Sequence, residues 1–385
     1  MVYNARWGIL ATGGIAKTFV KDLLRDPKAR DTNDVTHSVT AVASSSSKTR
    51  AEEFISDINI PGNPTTYGSY DELVADPNID IIYIATPHSH HYQNARLALE
   101  SGKNVLCEKS FTVNAAQTKI LVELAKQKKL FLMEAVWTRY FPLSVQVREL
   151  IQKGEIGEVL RVTADNSIGQ GGWDQSHRML NLDLAGGALL DLGIYSLTWA
   201  FQTLYHTLPL SQRKPPSSIL STMVKTASTG ADEDTTMLIT FPTTTPSNNL
   251  QRTSHAVAMT AFPVDSNPDK QNSARPAIRI QGTKGEIQVD GPAYRPERYR
   301  VISKTREGEP VKAVREVENV FPSNGHGMYW EADEAARCVR DGKLESEGMT
   351  WEESVVIMEV MDEVRRQHDL VYPEKIESTD YPIKL

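Results

Sequence analysis

Two short stretches of this sequence carry residue types that could move a proton. The first is Cys107-Glu108-Lys109-Ser110, which follows the apolar pair Val105-Leu106. It sets a charged Glu-Lys pair where a buried parallel strand should end. The carboxyl ends of such strands form the ligand crevice of an open α/β sheet. The second is Gly186-Gly187-Ala188-Leu189-Leu190-Asp191-Leu192-Gly193-Ile194-Tyr195, which reads as the opening of a helix. Asp191 and Tyr195 are four residues apart there, so they share a helix face. A carboxylate, a phenol and an ammonium brought together would make an acid/base group. Tyrosine is a poor base at its reference pKa of about 10. A neighbouring Lys109 would favour phenolate, and lowering that pKa by about two to three units takes roughly 3–4 kcal/mol, within reach of a close charge pair. Each stretch also has a plainer explanation. One is a solvated Glu-Lys pair at a strand exit; the other is a packed helical tyrosine with an aspartate that suits the macrodipole.

These residues need a frame to bring them together. From Trp7 to about Tyr140, short apolar runs alternate with amphipathic ones. Strands are expected at Arg6–Leu10, Ser38–Ala43, Ile81–Ala85, Asn104–Cys107 and Phe131–Glu134, with helices at Ala51–Ile58, Ser69–Val74, His91–Glu100 and Ala115–Gln127 between them. Strands separated by helical crossovers mean a parallel, doubly wound sheet. After Pro142 a helix (Leu143–Gln152) leads into a strand at Glu158–Asp165, and a second helix follows Gly186-Gly187. Strands then follow one another at Ser218–Lys225, Thr235–Phe241, His255–Phe262, Ala277–Gln281 and Glu286–Val289, the last two joined by a Gly282–Gly285 hairpin turn. Strands without crossovers imply an antiparallel sheet. The polar stretch Thr243–Ser254 reads as a surface loop, and Glu331–Arg340 and Trp351–Arg366 read as closing helices. The expected fold class is α/β: a Rossmann domain over 1–140, then an α+β domain over 141–385 with a large, open, mainly antiparallel sheet.

The first strand-to-helix turn reads Ala11-Thr12-Gly13-Gly14-Ile15-Ala16. A glycine-rich turn of this kind lets backbone N–H groups and the helix N-terminus approach a pyrophosphate. Alanine replaces the first glycine of the usual G-x-G-x-x-G/A pattern, but the context is that of a dinucleotide site. NAD sites place a carboxylate at the end of the second strand. This chain has Ser44-Ser45-Ser46-Ser47-Lys48-Thr49-Arg50 there, with no carboxylate before Glu52. Ser44, Ser45, Ser46, Lys48 and Arg50 suit a phosphate, so NADP is the expected cofactor; an ordinary serine-rich turn is the alternative. Thr86, Pro87, His88 and His91 lie where a later strand leaves the sheet on the crevice side, and they are expected to line the nicotinamide end. Their histidine spacing is unlike a zinc site, and no metal is expected.

At 385 residues the chain has room for two cores, and a net charge of −7 without a basic block gives no footprint for nucleic acid or an anionic membrane. Neither a signal peptide nor a membrane span is expected. The two distant cysteines, Cys107 and Cys338, suit a reducing compartment. The C-terminal Ile383-Lys384-Leu385 differs from a peroxisomal Ser-Lys-Leu ending, and a cytoplasmic location is expected.

Taken in order, Gly8–Ala16, Ala85-Thr86-Pro87, Val105–Lys109, Met133–Arg139, Gly187–Tyr195 and Gly327–Arg337 resemble the glucose–fructose oxidoreductase/inositol dehydrogenase (Gfo/Idh/MocA) family over nearly the whole chain. Tyr195 stands where many members carry histidine. With Met133–Arg139, that points to the branch holding dimeric dihydrodiol dehydrogenases and fungal NADP-dependent D-xylose dehydrogenases. The resemblance implies that Lys109, Asp191 and Tyr195 are the catalytic set, with Tyr195 the acid/base. It also places Glu108, Lys109, Trp137 and Arg139 beside the cofactor, Trp137 shaping the pocket, and implies a homodimer formed through the large sheet. The family usually has proline at the position of Ser110, often with a cis peptide that aims the lysine. A serine makes a cis bond costly, about 2.5–4 kcal/mol, so a differently aimed Lys109 is expected. The implied activity is NADP-dependent oxidation of an aldose, D-xylose favoured, to its lactone. The alternatives are oxidation of a trans-1,2-dihydrodiol and a catalytically silent NADP-binding regulator, like the galactose-pathway repressor of yeasts.

Overall fold

The structure is a computed structural model that describes residues 2–244 and 251–385. Six parallel strands form the first sheet: β1 (Tyr3–Leu10), β2 (Val35–Ala43), β3 (Thr65–Tyr67), β4 (Ile81–Ile84), β5 (Asn104–Glu108) and β6 (Leu132–Ala135). Their order is β3-β2-β1-β4-β5-β6. Helices α1 (Gly14–Leu23), α2 (Lys48–Ile58), α3 (Tyr70–Val74), α4 (His88–Glu100) and α5 (Ala115–Lys128) connect them. Covered on both faces, central strands such as Ile81–Ile84 are buried at every residue, which is why they read as unbroken apolar runs. The strand order reverses between β1 and β4, and a crevice opens beyond their carboxyl ends.

Helix α6 (Pro142–Gln152) leads into β7 (Val159–Asp165). A π-helical segment, Leu189–Gly193, then runs directly into α7 (Ile194–Leu204). The second sheet adds β8 (Ser218–Lys225), β9 (Asp232–Thr244), β10 (Gln251–Ala261), β11 (Ile278–Gly282), β12 (Gly285–Val289), β13 (Arg298–Ser303) and β14 (Arg315–Glu318). Its order is β14-β13-β12-β11-β7-β10-β9-β8, antiparallel throughout except for the parallel β7–β10 pair. The polar loop expected over Thr243–Ser254 is largely strand at its flanks, with Thr244 paired to Gln251; residues 245–250 lie outside the described residues.

Every residue of α7 is buried, and the helix packs on β7 and β10. By length and composition Leu182–Leu204 could cross a membrane, but 94% of its apolar window is buried inside the fold, where it serves as the core helix. The chain then returns to the first sheet through α8 (Met328–Arg340), α9 (Trp351–Gln367) and α10 (Glu374–Glu377). Asp22 of α1 accepts from the N–H groups of His326, Gly327 and Met328, capping α8 from the opposite half of the sequence. Arg30 forms a buried bidentate pair with Asp333.

Ala11, which replaces the first glycine of the turn, has φ 89°, in the left-handed region that favours glycine. The Ala11→Gly variant should therefore gain about 0.5–1 kcal/mol of stability, measurable by urea denaturation.

Candidate active site

A cleft of about 630 Å³ runs from the N-terminus of α1 to the start of α7, along the carboxyl ends of β4 and β5. Gly13, Gly14, Thr86, Pro87, His88, Glu108, Lys109, Trp137, Asp191 and Tyr195 all line it.

The π-segment explains how the α7 end of the cleft is held. A π-turn opens the helical hydrogen-bond ladder, and three consecutive carbonyls here accept from side chains of other elements. Leu190 O takes the Ser110 hydroxyl at 2.7 Å, Asp191 O takes Lys109 Nζ at 2.8 Å, and Leu192 O takes Asn166 Nδ2 at 3.2 Å. Asp232 anchors the segment's start by accepting from Leu189 N at 2.6 Å. Gly187, with φ 131°, allows that approach, because a Cβ there would lie 2.1 Å from Asp232 Oδ1. The sequence pattern reads as ordinary helix, and nothing in its apolar spacing separates that from a π-turn.

Lys109 is aimed at Asp191. The Lys109–Ser110 peptide is cis, and Lys109 Nζ reaches Asp191 Oδ1 at 3.1 Å as well as Asp191 O. Ser110 is held at both polar groups, its hydroxyl by Leu190 O and its carbonyl 2.8 Å from His91 Nδ1. Arg178, from the loop after β7, brings Nη1 to the same Asp191 Oδ1 at 3.1 Å, with His88 Nε2 at 3.9 Å. Burial works against the Asp191 charge, but Lys109 and Arg178 outweigh it and hold the carboxyl well below the usual carboxylate range. Burial pushes His88 down to about 3, so it stands beside that carboxylate as a neutral ring at physiological pH.

Tyr195 differs from the sequence expectation. Its hydroxyl accepts from Trp137 Nε1 at 2.8 Å, while Lys109 Nζ lies over the ring face, 5.0 Å from the centroid. With the ammonium occupied by Asp191, burial dominates, and the Glu108 and Asp191 charges add to it. The phenol pKa is raised well above 10, not lowered. Beneath it, Glu108 accepts from the Tyr83 hydroxyl and lies near Glu331; burial raises both carboxyls. If Tyr195 is the base, oxidation should quicken with rising pH, approaching tenfold per unit, with no plateau below about 10. Reduction, which needs the neutral phenol, should stay flat over the same range. Initial rates in both directions check this.

At the dinucleotide end, Gly13 stands at the N-cap of α1 with no side-chain cap, and a Cβ on Gly13 or Gly14 would meet nothing within 4 Å. The helix N-terminus is thus open to a pyrophosphate. Ala11 and Thr12 form the turn before it, and Ile15 stands 41% exposed at the cleft. Ser44 closes β2, with its hydroxyl 3.0 Å from that of Ser46. Ser45, Ser46, Lys48 and Arg50 are exposed, and neither cation is ion-paired among the described residues. These features fit a phosphorylated dinucleotide.

Two expected cofactor residues lie elsewhere. His91 is buried off the cleft between two strand-end turns, Nδ1 toward Ser110 O and Nε2 2.9 Å from Thr86 O. Arg139 is wholly buried, bidentate to Glu353 and bonded to Gly348 O. Trp137–Tyr140 is a 3-10 turn with three residues per turn, so Trp137 and Arg139 point about 120° apart, one to the cleft and one to the core. Conversely, Arg178 and Tyr294 line the cleft, and sequence reasoning missed both.

Residues 5–136 match the GFO_IDH_MocA model, an oxidoreductase family with an NAD-binding Rossmann fold. Residues 144–288 match the C-terminal domain of the same family. The chain is similar to D-xylose 1-dehydrogenase (NADP(+)) of Hypocrea jecorina, 54% identical over 99% of this chain and 96% of that protein. It is also similar to trans-1,2-dihydrobenzene-1,2-diol dehydrogenase of Mus musculus, 33% identical over 96% and 98% of the two chains. Among solved structures, levoglucosan dehydrogenase in complex with NADH and levoglucosan shares the fold. Its TM-score is 0.77 at 16% identity, covering 96% of this chain and 99% of that one.

Proposed function

The chain belongs to the GFO/IDH/MocA oxidoreductase family, and from that premise we propose that it oxidises an aldose, D-xylose foremost, at the anomeric carbon with NADP. The observation that carries this reading is the near-full-length 54% identity to a D-xylose 1-dehydrogenase (NADP(+)). The cleft described above supports it.

NADP, when bound, would supply the hydride acceptor for the anomeric carbon. The open N-terminus of α1 would hold its pyrophosphate, and Ser45, Ser46, Lys48 and Arg50 would hold its ribose phosphate. Tyr195 Oη, in the phenolate form that is a minor fraction at neutral pH, takes the anomeric hydroxyl proton and becomes the neutral phenol, so the sugar leaves as its lactone. Trp137 holds that oxygen in place, Lys109 fixes Asp191, and Asp191 orients a sugar hydroxyl. In this reading residues 1–140 hold the cofactor, and residues 141–385 bind the sugar and self-associate.

A second reading is oxidation of trans-1,2-dihydrodiols. It is favoured by an apolar rim of Ile168, Leu184, Leu192 and Tyr294 and by the 33% identity to a dihydrodiol dehydrogenase. Formation of reduced nicotinamide, with NADP against NAD, over D-xylose, D-glucose, L-arabinose and a trans-dihydrodiol separates the two. Turnover confined to the dihydrodiol would overturn the aldose reading. NADP binding without any turnover would leave a silent regulator.

Self-association through the open face of the second sheet is supported by exposed apolar side chains there. Leu220 and Leu238 pair across β8 and β9, and with Val224 they are 60%, 43% and 53% exposed. A Leu238→Arg variant should sediment as a monomer where the wild type sediments as a dimer; an unchanged dimer would place the contact elsewhere.

A further inference from the structure

The two oxygens of Asp191 have different surroundings. Oδ1 receives Lys109 Nζ and Arg178 Nη1, each at 3.1 Å. Oδ2 accepts no hydrogen bond from any described residue, and Asp191 lines the cleft. Arg178 is likewise only partly engaged. It uses Nη1 on Asp191, its side chain is 56% exposed at the cleft, and its other N–H groups meet no acceptor among the described residues. A free carboxylate oxygen and free guanidinium donors therefore stand side by side in the cleft that Tyr195 also lines.

That pair complements one hydroxyl group. A hydroxyl has one proton to donate and lone pairs to accept with. It can donate to Asp191 Oδ2 while it accepts from Arg178. Lys109 Nζ links Asp191 and Tyr195, 3.1 Å from Asp191 Oδ1 and 5.0 Å from the Tyr195 ring centroid, so both side chains can reach adjacent substituents of one substrate. We propose that Asp191 Oδ2 and Arg178 clamp the hydroxyl next to the carbon being oxidised, so that the site selects substrates with a vicinal pair of hydroxyls. This rests on the proposed function for which carbon reacts. It deepens that reading by naming what the aldose and the trans-1,2-dihydrodiol share: one hydroxyl at Tyr195 and its neighbour in the clamp. The neighbour is held and is not itself oxidised.

The test compares kcat/KM for D-xylose and 2-deoxy-D-xylose, with NADP, in the wild type, Arg178→Met and Arg178→Lys. Melting temperature and NADPH fluorescence titration report folding and cofactor binding. Each charge-assisted hydrogen bond to the substrate is worth about 10- to 100-fold. The wild type should therefore prefer D-xylose by about 100-fold or more. In Arg178→Met the ratio should fall by about 10- to 100-fold because the loss falls on D-xylose, and Arg178→Lys should recover part of it. A wild-type ratio near one overturns the clamp, and so does an Arg178→Met loss that is equal on both substrates. If Arg178→Met does not fold, the wild-type ratio and the lysine variant still decide. Absence of D-xylose turnover in the wild type removes the aldose reading and the clamp with it; turnover without discrimination removes the clamp alone.

Discussion

Tyr195→Phe is expected to lower turnover with the preferred substrate by about 10²–10⁴-fold while leaving NADP affinity within a few-fold of wild type. The substitution removes one oxygen. The ring stays, and with it the contact to Tyr294 at 5.9 Å and the Lys109 ammonium over its face. The cleft should keep its shape, so any loss reports proton transfer. A modest structural cost is also expected, because Trp137 Nε1 loses its acceptor, and a buried unpaired donor costs about 1–3 kcal/mol. The melting temperature should register that cost separately from turnover. The raised phenol pKa adds a check: the steep alkaline rise of the wild-type oxidation rate should vanish in the variant. If Tyr195→Phe turns over near normally with intact cofactor binding, Tyr195 is not the base.

The frame that presents these residues is legible in the chain because its physics is local. Strands buried on both faces read as continuous apolar runs, as at Ile81–Ile84, and crossover helices separate them. The strands that escape notice carry a different signal. Thr65–Tyr67 has three residues, too few for a period to show. In β13 only Tyr299 and Val301 turn fully inward, while Arg298 and Arg300 both pair with Asp290. The site divides in the same way. Lys109, Asp191 and Tyr195 stand at strand and helix ends, where the chain itself marks them. Arg178 comes from a loop without any period, and its tie to Asp191 is made only by folding. The phenol pKa has the wrong sign from sequence for a related reason. Sequence supplies the neighbouring ammonium, but which face of the ring it meets, and that Asp191 occupies it first, are tertiary facts.

Arg139 shows how far such tertiary facts can redirect a residue's role. Arg139→Met should destabilise the protein by about 3–5 kcal/mol, because it strands the carboxylate of Glu353 in a wholly buried site. Burial alone would raise the Glu353 pKa; the Arg139 charge and His206 reverse that and hold it down at about 2. A carboxyl held below its unfolded value of about 4.3 adds stability that is complete above that value and fades as pH falls toward the folded one. Part of the wild type's acid sensitivity should therefore lie between about pH 4 and 2, and Arg139→Met should lose that component. Replacing both partners, as Arg139→Met with Glu353→Leu, should recover most of the loss, since a packed apolar pair leaves no charge unpaired. Denaturation curves of the single and double variants measure this, and the KM for NADP reads the other possibility. Were Arg139 a cofactor ligand, KM would rise in the single variant and remain high in the double. With its guanidinium spent on Glu353 and Gly348, KM should stay within a few-fold of wild type in both.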